Sequence, residues 1–93
     1  MREDVIQRGL VKARKIFDKM NASRDMEYLT DTVRINNRLT LKFECQRNEA
    51  DYCRGRACCF EIYAVKDGEE VDCCTLHLKD VNEEIIYLLN CYV

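Results

Sequence analysis

The sequence predicts an α+β protein: one N-terminal amphipathic helix packed on a four- to five-stranded antiparallel β-sheet, disulfide cross-linked. Three observations carry this. Apolar residues recur at helical spacing between residues 3 and 21. From residue 28 onward the apolar period shortens to that of strands, with turn signals between the runs. The chain of 93 residues carries seven cysteines. That length predicts a single domain, residues 1–93, whose modest core is of the kind that cross-links often support.

Val5, Ile6, Leu10, Ala13, Phe17 and Met20 form the apolar stripe of the helix. Glu3 and Asp4 stand in its first turn, where the helix dipole favours negative charge. Gly9 interrupts the pattern at a cost of about 1 kcal/mol relative to alanine. Close approach of a sheet to the helix backbone is the expected compensation. Arg8, Lys12, Lys15 and Lys19 form a basic stripe on the other side, read as a solvated face, with a basic binding surface as the alternative. The polar stretch 21–25 ends the helix. Within it, Asn21-Ala22-Ser23 matches the acceptor pattern for N-glycosylation.

Tyr28 to Ile35, rich in Thr, Val and Ile, predicts the first strand. Leu39, Leu41, Phe43 and Cys45 alternate with polar residues and predict its partner. Asn36-Asn37 suits the hairpin between them, because Asn tolerates positive φ. Residues 46–57 are polar and predict a loop. Strand character resumes at Cys58, and Lys66-Asp67-Gly68-Glu69 is a hairpin turn into a fourth strand at 71–79. Two registers compete there. A two-residue Asp67-Gly68 loop pairs Ile62 with Cys73. A loop one residue longer puts Cys74, Leu76 and Leu78 on the face of Phe60 and Ile62, which buries more leucine and is preferred. In the last segment, Asp80 with Glu83 resembles a capping box for a short helix, but 85–92 also reads as a strand, which is the reading adopted.

Composition narrows the functional classes. None of the cysteines forms a C-x-x-C pair and His77 is the single histidine, so disulfides are expected rather than a metal site. Disulfides imply an oxidising compartment, hence a secreted protein whose leader is already removed. An odd count leaves either a free thiol or a cysteine that links two chains as a dimer, for which Cys91 or Cys59 is the candidate. A net charge of -2 with mixed signs points away from nucleic acid, and no apolar run is long enough to span a membrane. No cofactor is expected, because the three glycines form no phosphate-binding loop. An enzyme is not expected either. A cysteine nucleophile needs a base, and His77 falls on a strand face.

Several segments resemble secreted (type 2) cystatins. Cys58-Cys59-Phe60-Glu61-Ile62-Tyr63-Ala64-Val65 is similar to their Cys-x-Phe-x-Ile-Tyr-x-Val strand. Leu39-x-Leu-x-Phe-x-Cys45 is similar to their strand entering the first disulfide loop, and Lys19 to Tyr28 to the end of their helix. The resemblance covers about residues 5 to 78, with a gap near 30 to 38. It implies a Cys45–Cys53 bridge and a second from Cys58 to Cys73 or Cys74; Cys59, Cys91 and the leftover of Cys73 and Cys74 are extra to the family pattern, and a third bridge from Cys91 to one of these is expected, with one sulfur left over.

The departures bear on function. Cystatins inhibit papain-type proteases with an N-terminal glycine segment, a Gln-x-Val-x-Gly hairpin and a Pro-Trp hairpin, which form one apolar wedge. Here the hairpins read Ile35-Asn36-Asn37-Arg38 and Lys66-Asp67-Gly68-Glu69. A polar tip entering an apolar cleft costs several kcal/mol of desolvation. Arg24 stands where the legumain-directed Asn of some family members would be. The expected function is therefore a diverged cystatin-like secreted binding protein, with these two hairpins as the protein-binding residues. One alternative is a cysteine protease inhibitor with altered loops; another is a toxin, effector or host-defence protein on the same scaffold. The partner is then a protein, either a papain-like cysteine protease or a receptor.

Overall fold

A computed structural model describes residues 2–22, 28–46, 59–76 and 80–93. The elements run α1 (Arg2–Ala22), β1 (Leu29–Arg34), β2 (Leu39–Gln46), β3 (Cys59–Lys66), β4 (Glu69–Leu76) and α2 (Val81–Tyr92). The strands form one antiparallel sheet in the order β1-β2-β3-β4.

The α+β layout is as expected, but the C-terminal segment is a helix and the fifth strand is absent from the described sheet. Val81, Ile85, Leu88 and Leu89 are buried at helical spacing. Asp80 stands at the N-cap without a side-chain bond, so the capping box does not form; its backbone carbonyl accepts the Glu84 N–H at 2.9 Å. The physical reason for the helix is coverage. A helix is about 10 Å across and strands lie about 4.8 Å apart, so one helix shields roughly two strands. Accordingly α1 packs on β1 and β2, α2 packs on β3 and β4, and the two helices pack side by side. Both bury their stripes against Leu39, Leu41, Phe43, Cys45, Ile62 and Ala64 on one face of the sheet. The other face carries Thr30, Thr32 and Arg34 of β1, Thr40, Lys42 and Glu44 of β2, Glu61 and Tyr63 of β3 and Cys73 of β4, while Asp31 and Asp72 of the outer strands lie on the helix side.

Gly9 shows why that side-by-side packing needs a glycine. A Cβ there would stand 3.2 Å from Leu89 Cδ2 of α2 and 3.3 Å from Cδ1 and Cγ2 of Ile35. The close approach comes from two side chains, one on α2 and one at the hairpin, rather than from the sheet backbone.

Both expected hairpins are present. In the first, Asn36 Oδ1 accepts the backbone N–H of Arg38 at 2.9 Å and of Leu39 at 2.8 Å. Asn36 thus earns its place as a side-chain acceptor, not by positive φ: among the described non-glycine residues only Asp67 has one. In the second, Asp67 at φ 52° and Gly68 at φ 84° make a two-residue turn with both central residues left-handed. The preferred register holds, with Ile62 opposite Cys74 and Phe60 opposite Leu76, but by a different route. The loop stays short, and a bulge shifts the pairing from Ala64–Asp72 to Val65–Glu70, so that Val71 is the extra residue.

The two outer strands share a device. The first hairpin's Ile35 N–H bonds inward to Leu39 O at 2.9 Å, so by alternation the N–H of Thr32 points away from the sheet. It donates to Asp31 Oδ1 of the preceding residue at 2.8 Å. On β4 the outward Cys73 N–H donates to Asp72 Oδ1, also at 2.8 Å. Each aspartate also holds a helix: Asp31 pairs with Lys19 of α1 at 3.8 Å, and Asp72 accepts the Tyr92 hydroxyl of α2 at 2.8 Å. Carboxylates on edge strands discourage strand addition by another chain.

Candidate functional site

The meander brings the two expected binding hairpins to the same end of the sheet, and they touch. The Arg38 guanidinium grips the Asp67 carboxylate as a fork, with Nε–Oδ1 at 2.9 Å and Nη2–Oδ2 at 2.6 Å. The Asp67 backbone N–H donates to the Arg38 carbonyl at 2.9 Å. The hydrogen bond and charge of each partner act on the other: Arg38 holds the Asp67 carboxyl below the usual carboxylate range, and Asp67 holds the guanidinium further toward its charged form. Both side chains remain more than half exposed, at 67% and 53%, so the pair fixes geometry more than it adds stability.

The eight hairpin residues divide by role. Ile35 is half buried and faces inward against Gly9. Asn36 is spent on closing its turn, and its carbonyl also accepts Arg34 Nε at 3.2 Å. Gly68 supplies the left-handed turn. Asn37, Arg38, Lys66, Asp67 and Glu69 are left to present side chains outward. Of these Asn37, Arg38, Asp67 and Glu69 are exposed and Lys66 is half buried. The resulting surface is polar and of mixed charge.

The open face of the sheet holds a second cluster, which the scattered positions of its members in sequence did not reveal. Register places Lys42 beside Tyr63 and Tyr63 beside Cys73 in one row, with Glu44 beside Glu61 in the next. Lys42 Nζ bonds Glu70 at 2.7 Å, lies 3.6 Å from Glu44 and stacks 4.9 Å above the Tyr63 ring. The Tyr63 hydroxyl bonds Glu61. Hydrogen bonding to Glu61 pushes the Tyr63 hydroxyl strongly up, and hydrogen bonding to Glu44 raises that of Tyr28. Tyr28 in turn is the main cause that lowers the Glu44 carboxyl. The named donors and acceptors bond to one another across β2, β3 and β4.

The expected disulfide framework is not shown. Cys73, Cys74 and Cys91 carry free thiols, and Cys45 is wholly buried in the core. Cys53 and Cys58 lie outside the described residues, and Cys59 is placed only as the strand position opposite Gln46. Alternation does send Cys73 to the open face and Cys74, half buried, to the helix side. Burial first, and then a hydrogen bond with Glu84, pushes the Cys74 thiol up to about 12. Burial also pushes Cys73 up, followed by the charge of Glu61. Thiols held protonated in this way are poor nucleophiles. The Glu84 contact further explains why Cys74 does not meet Cys91. Glu84 and Cys91 are separated along α2 by about 10 Å of helical rise, so a thiol beside Glu84 stands beyond disulfide reach of Cys91.

Asn21 is exposed in the last turn of α1, while Ser23 of its sequon and His77 lie outside the described residues. Among the described residues no cluster of His, Cys, Asp or Glu could hold a metal ion, and no helix is long and apolar enough to cross a membrane.

Comparison with protein-family models, curated proteins and solved structures finds no match to this chain.

Proposed function

We propose that the chain is a diverged cystatin-like binding protein that presents its paired hairpin end, centred on Asn37, Arg38, Lys66, Asp67 and Glu69, to a protein partner. One observation carries this reading: the Arg38–Asp67 fork that locks two hairpins into one surface. A pre-ordered surface loses less conformational entropy on binding than two independent loops would. Its polar, mixed-charge character suits a polar protein surface and disfavours the apolar cleft of a papain-like protease, where these groups would lose their water. The helix followed by a four-strand antiparallel meander supports the cystatin-like part of the reading. The C-terminal helix in place of a last strand is a departure from it. The secreted setting belongs to the same proposal, and the core described above closes without a disulfide among Cys45, Cys73, Cys74 and Cys91.

The test is titration of a papain-like cysteine protease. The expected outcome is no inhibition at micromolar concentration. Nanomolar inhibition lost on replacing Asn37 and Lys66 with alanine would overturn the reading and place the chain among working inhibitors with rebuilt loops.

A further inference from the structure

We propose that the outer face of α1, on the side of the helix turned away from the sheet, is a docking surface for an acidic peptide segment of a partner protein with an apolar anchor. A groove of about 340 Å³ lies there, lined by Leu10, Val11, Arg14, Lys15, Asp18 and Asn82. Its floor is apolar, formed by Leu10 and by Val11, which is 56% exposed on a helix whose main apolar stripe is buried.

One wall is fixed in advance. Arg14 bonds Asp18 at 3.0 Å and Asn82 of α2 at 3.1 Å, and it lies 5.3 Å above the Phe17 ring. The remaining cations are not neutralised. Lys12 and Lys15 form no ion pair among the described residues, and Arg8 donates only to the Asp4 carbonyl at 3.3 Å. Arg8, Val11 and Lys15 follow one another at helical-neighbour spacing, and Lys12 joins Arg8 to Lys15 on the flank. A chain of net charge -2 therefore places unpaired positive charge along one flank of an exposed apolar residue, with Lys15 at the groove itself.

Charge complementarity selects the occupant: carboxylates for Arg8, Lys12 and Lys15, and an aliphatic or aromatic side chain for the groove beside Val11. From Arg8 to Asp18 the site spans about 15 Å of helix, the length of a short peptide segment. Asp18 closes the C-terminal end with negative charge and so sets the direction in which the acidic segment lies. A lipid surface fits less well. The apolar element is a concave depression, whereas interfacial helices present a continuous convex stripe, and that of α1 is buried against the sheet.

The experiment uses the full chain and a fluorescein-labelled synthetic peptide of Glu and Leu with leucines at helical spacing. Controls are a scrambled peptide, the Lys-for-Glu peptide, and phosphatidylglycerol vesicles. Anisotropy should give a dissociation constant on the order of micromolar for the acidic peptide. Amide shift changes should centre on residues 11–18 and spare the hairpin tips at 37–38 and 66–69. Val11→Asp, at an exposed site, should weaken binding by about tenfold or more. The pair Lys12→Glu and Lys15→Glu should transfer preference to the Lys peptide. Equal binding of the scrambled peptide, shifts confined to the hairpin end, or binding to vesicles alone would each overturn the proposal. The shift map also separates it from the hairpin reading, since either surface can fail without the other.

Discussion

Replacing Leu89 and Gly9 singly and together tests the packing of α2 on α1. Leu89 is fully buried, so Leu89→Ala should cost about 2–5 kcal/mol through lost burial and the cavity left behind. Gly9→Ala alone combines two opposed effects. It gains about 1 kcal/mol of helix propensity. Its methyl, however, would sit 3.2 Å from Leu89 Cδ2 and 3.3 Å from two atoms of Ile35, and crowding of that kind costs about 1–3 kcal/mol. The single variant should therefore range from neutral to about 2 kcal/mol less stable. With Leu89 shortened, the nearest of those contacts is gone and the new methyl fills part of the space. The double variant should then be more stable than the sum of the singles by about 1 kcal/mol, within the range for touching residues. Urea unfolding of the four proteins, followed by far-ultraviolet circular dichroism, gives this coupling directly. Additivity within about 0.5 kcal/mol would refute the contact. The side-by-side arrangement of the two helices would fall with it.

Three further outcomes are expected. Replacing both Asp31 and Asp72 with alanine unseals the edge N–H groups of Thr32 and Cys73 and should raise self-association; sedimentation showing an unchanged monomer–oligomer balance would count against the edge device. Gly68→Ala should destabilise by about 1–2 kcal/mol, because φ is 84° there and no neighbouring atom lies within 4 Å, so the whole effect is backbone strain; Gly68→Asn should cost less in the same denaturation assay. Cys74 should react with iodoacetamide more slowly than the exposed Cys91, as read by peptide mass spectrometry. The linkage has a definite sign: the folded state keeps the Cys74 proton up to about 12 while the unfolded thiol loses it near 9. Stability from this group is therefore full below the unfolded value and falls as pH rises between the two, and Cys74→Ser should flatten that decline.

The first helix and the four strands were legible because each signals its own period locally. Ile6, Ala13, Phe17 and Met20 recur as a helical stripe, and Leu39, Leu41 and Phe43 alternate, so the face each buries can be read without knowing its neighbours. The hairpin positions were legible for a related reason, since Asn36 and Asp67-Gly68 are residues whose chemistry makes turns. The segment 85–92 was not legible in this way. Its run of Ile, Tyr and Leu satisfies both periods, and only the uncovered half of a sheet four strands wide decides for the helix.

The candidate sites divide along the same line. Sequence alone determined that the two hairpins would be polar and that the outer face of α1 would be basic. It did not determine that Arg38 would reach Asp67 across 29 positions, that Tyr28, Lys42, Glu44 and Tyr63 would share one open face, or that Arg14 would meet Asn82 across 68 positions. Nor did it show that the register of β4 would be reached by a bulge at Val71 rather than by a longer turn. Local patterning sets which side of an element is apolar, because that depends on backbone period. Which polar residues meet depends on strand order and register, and those follow from burying the apolar faces of all six elements together.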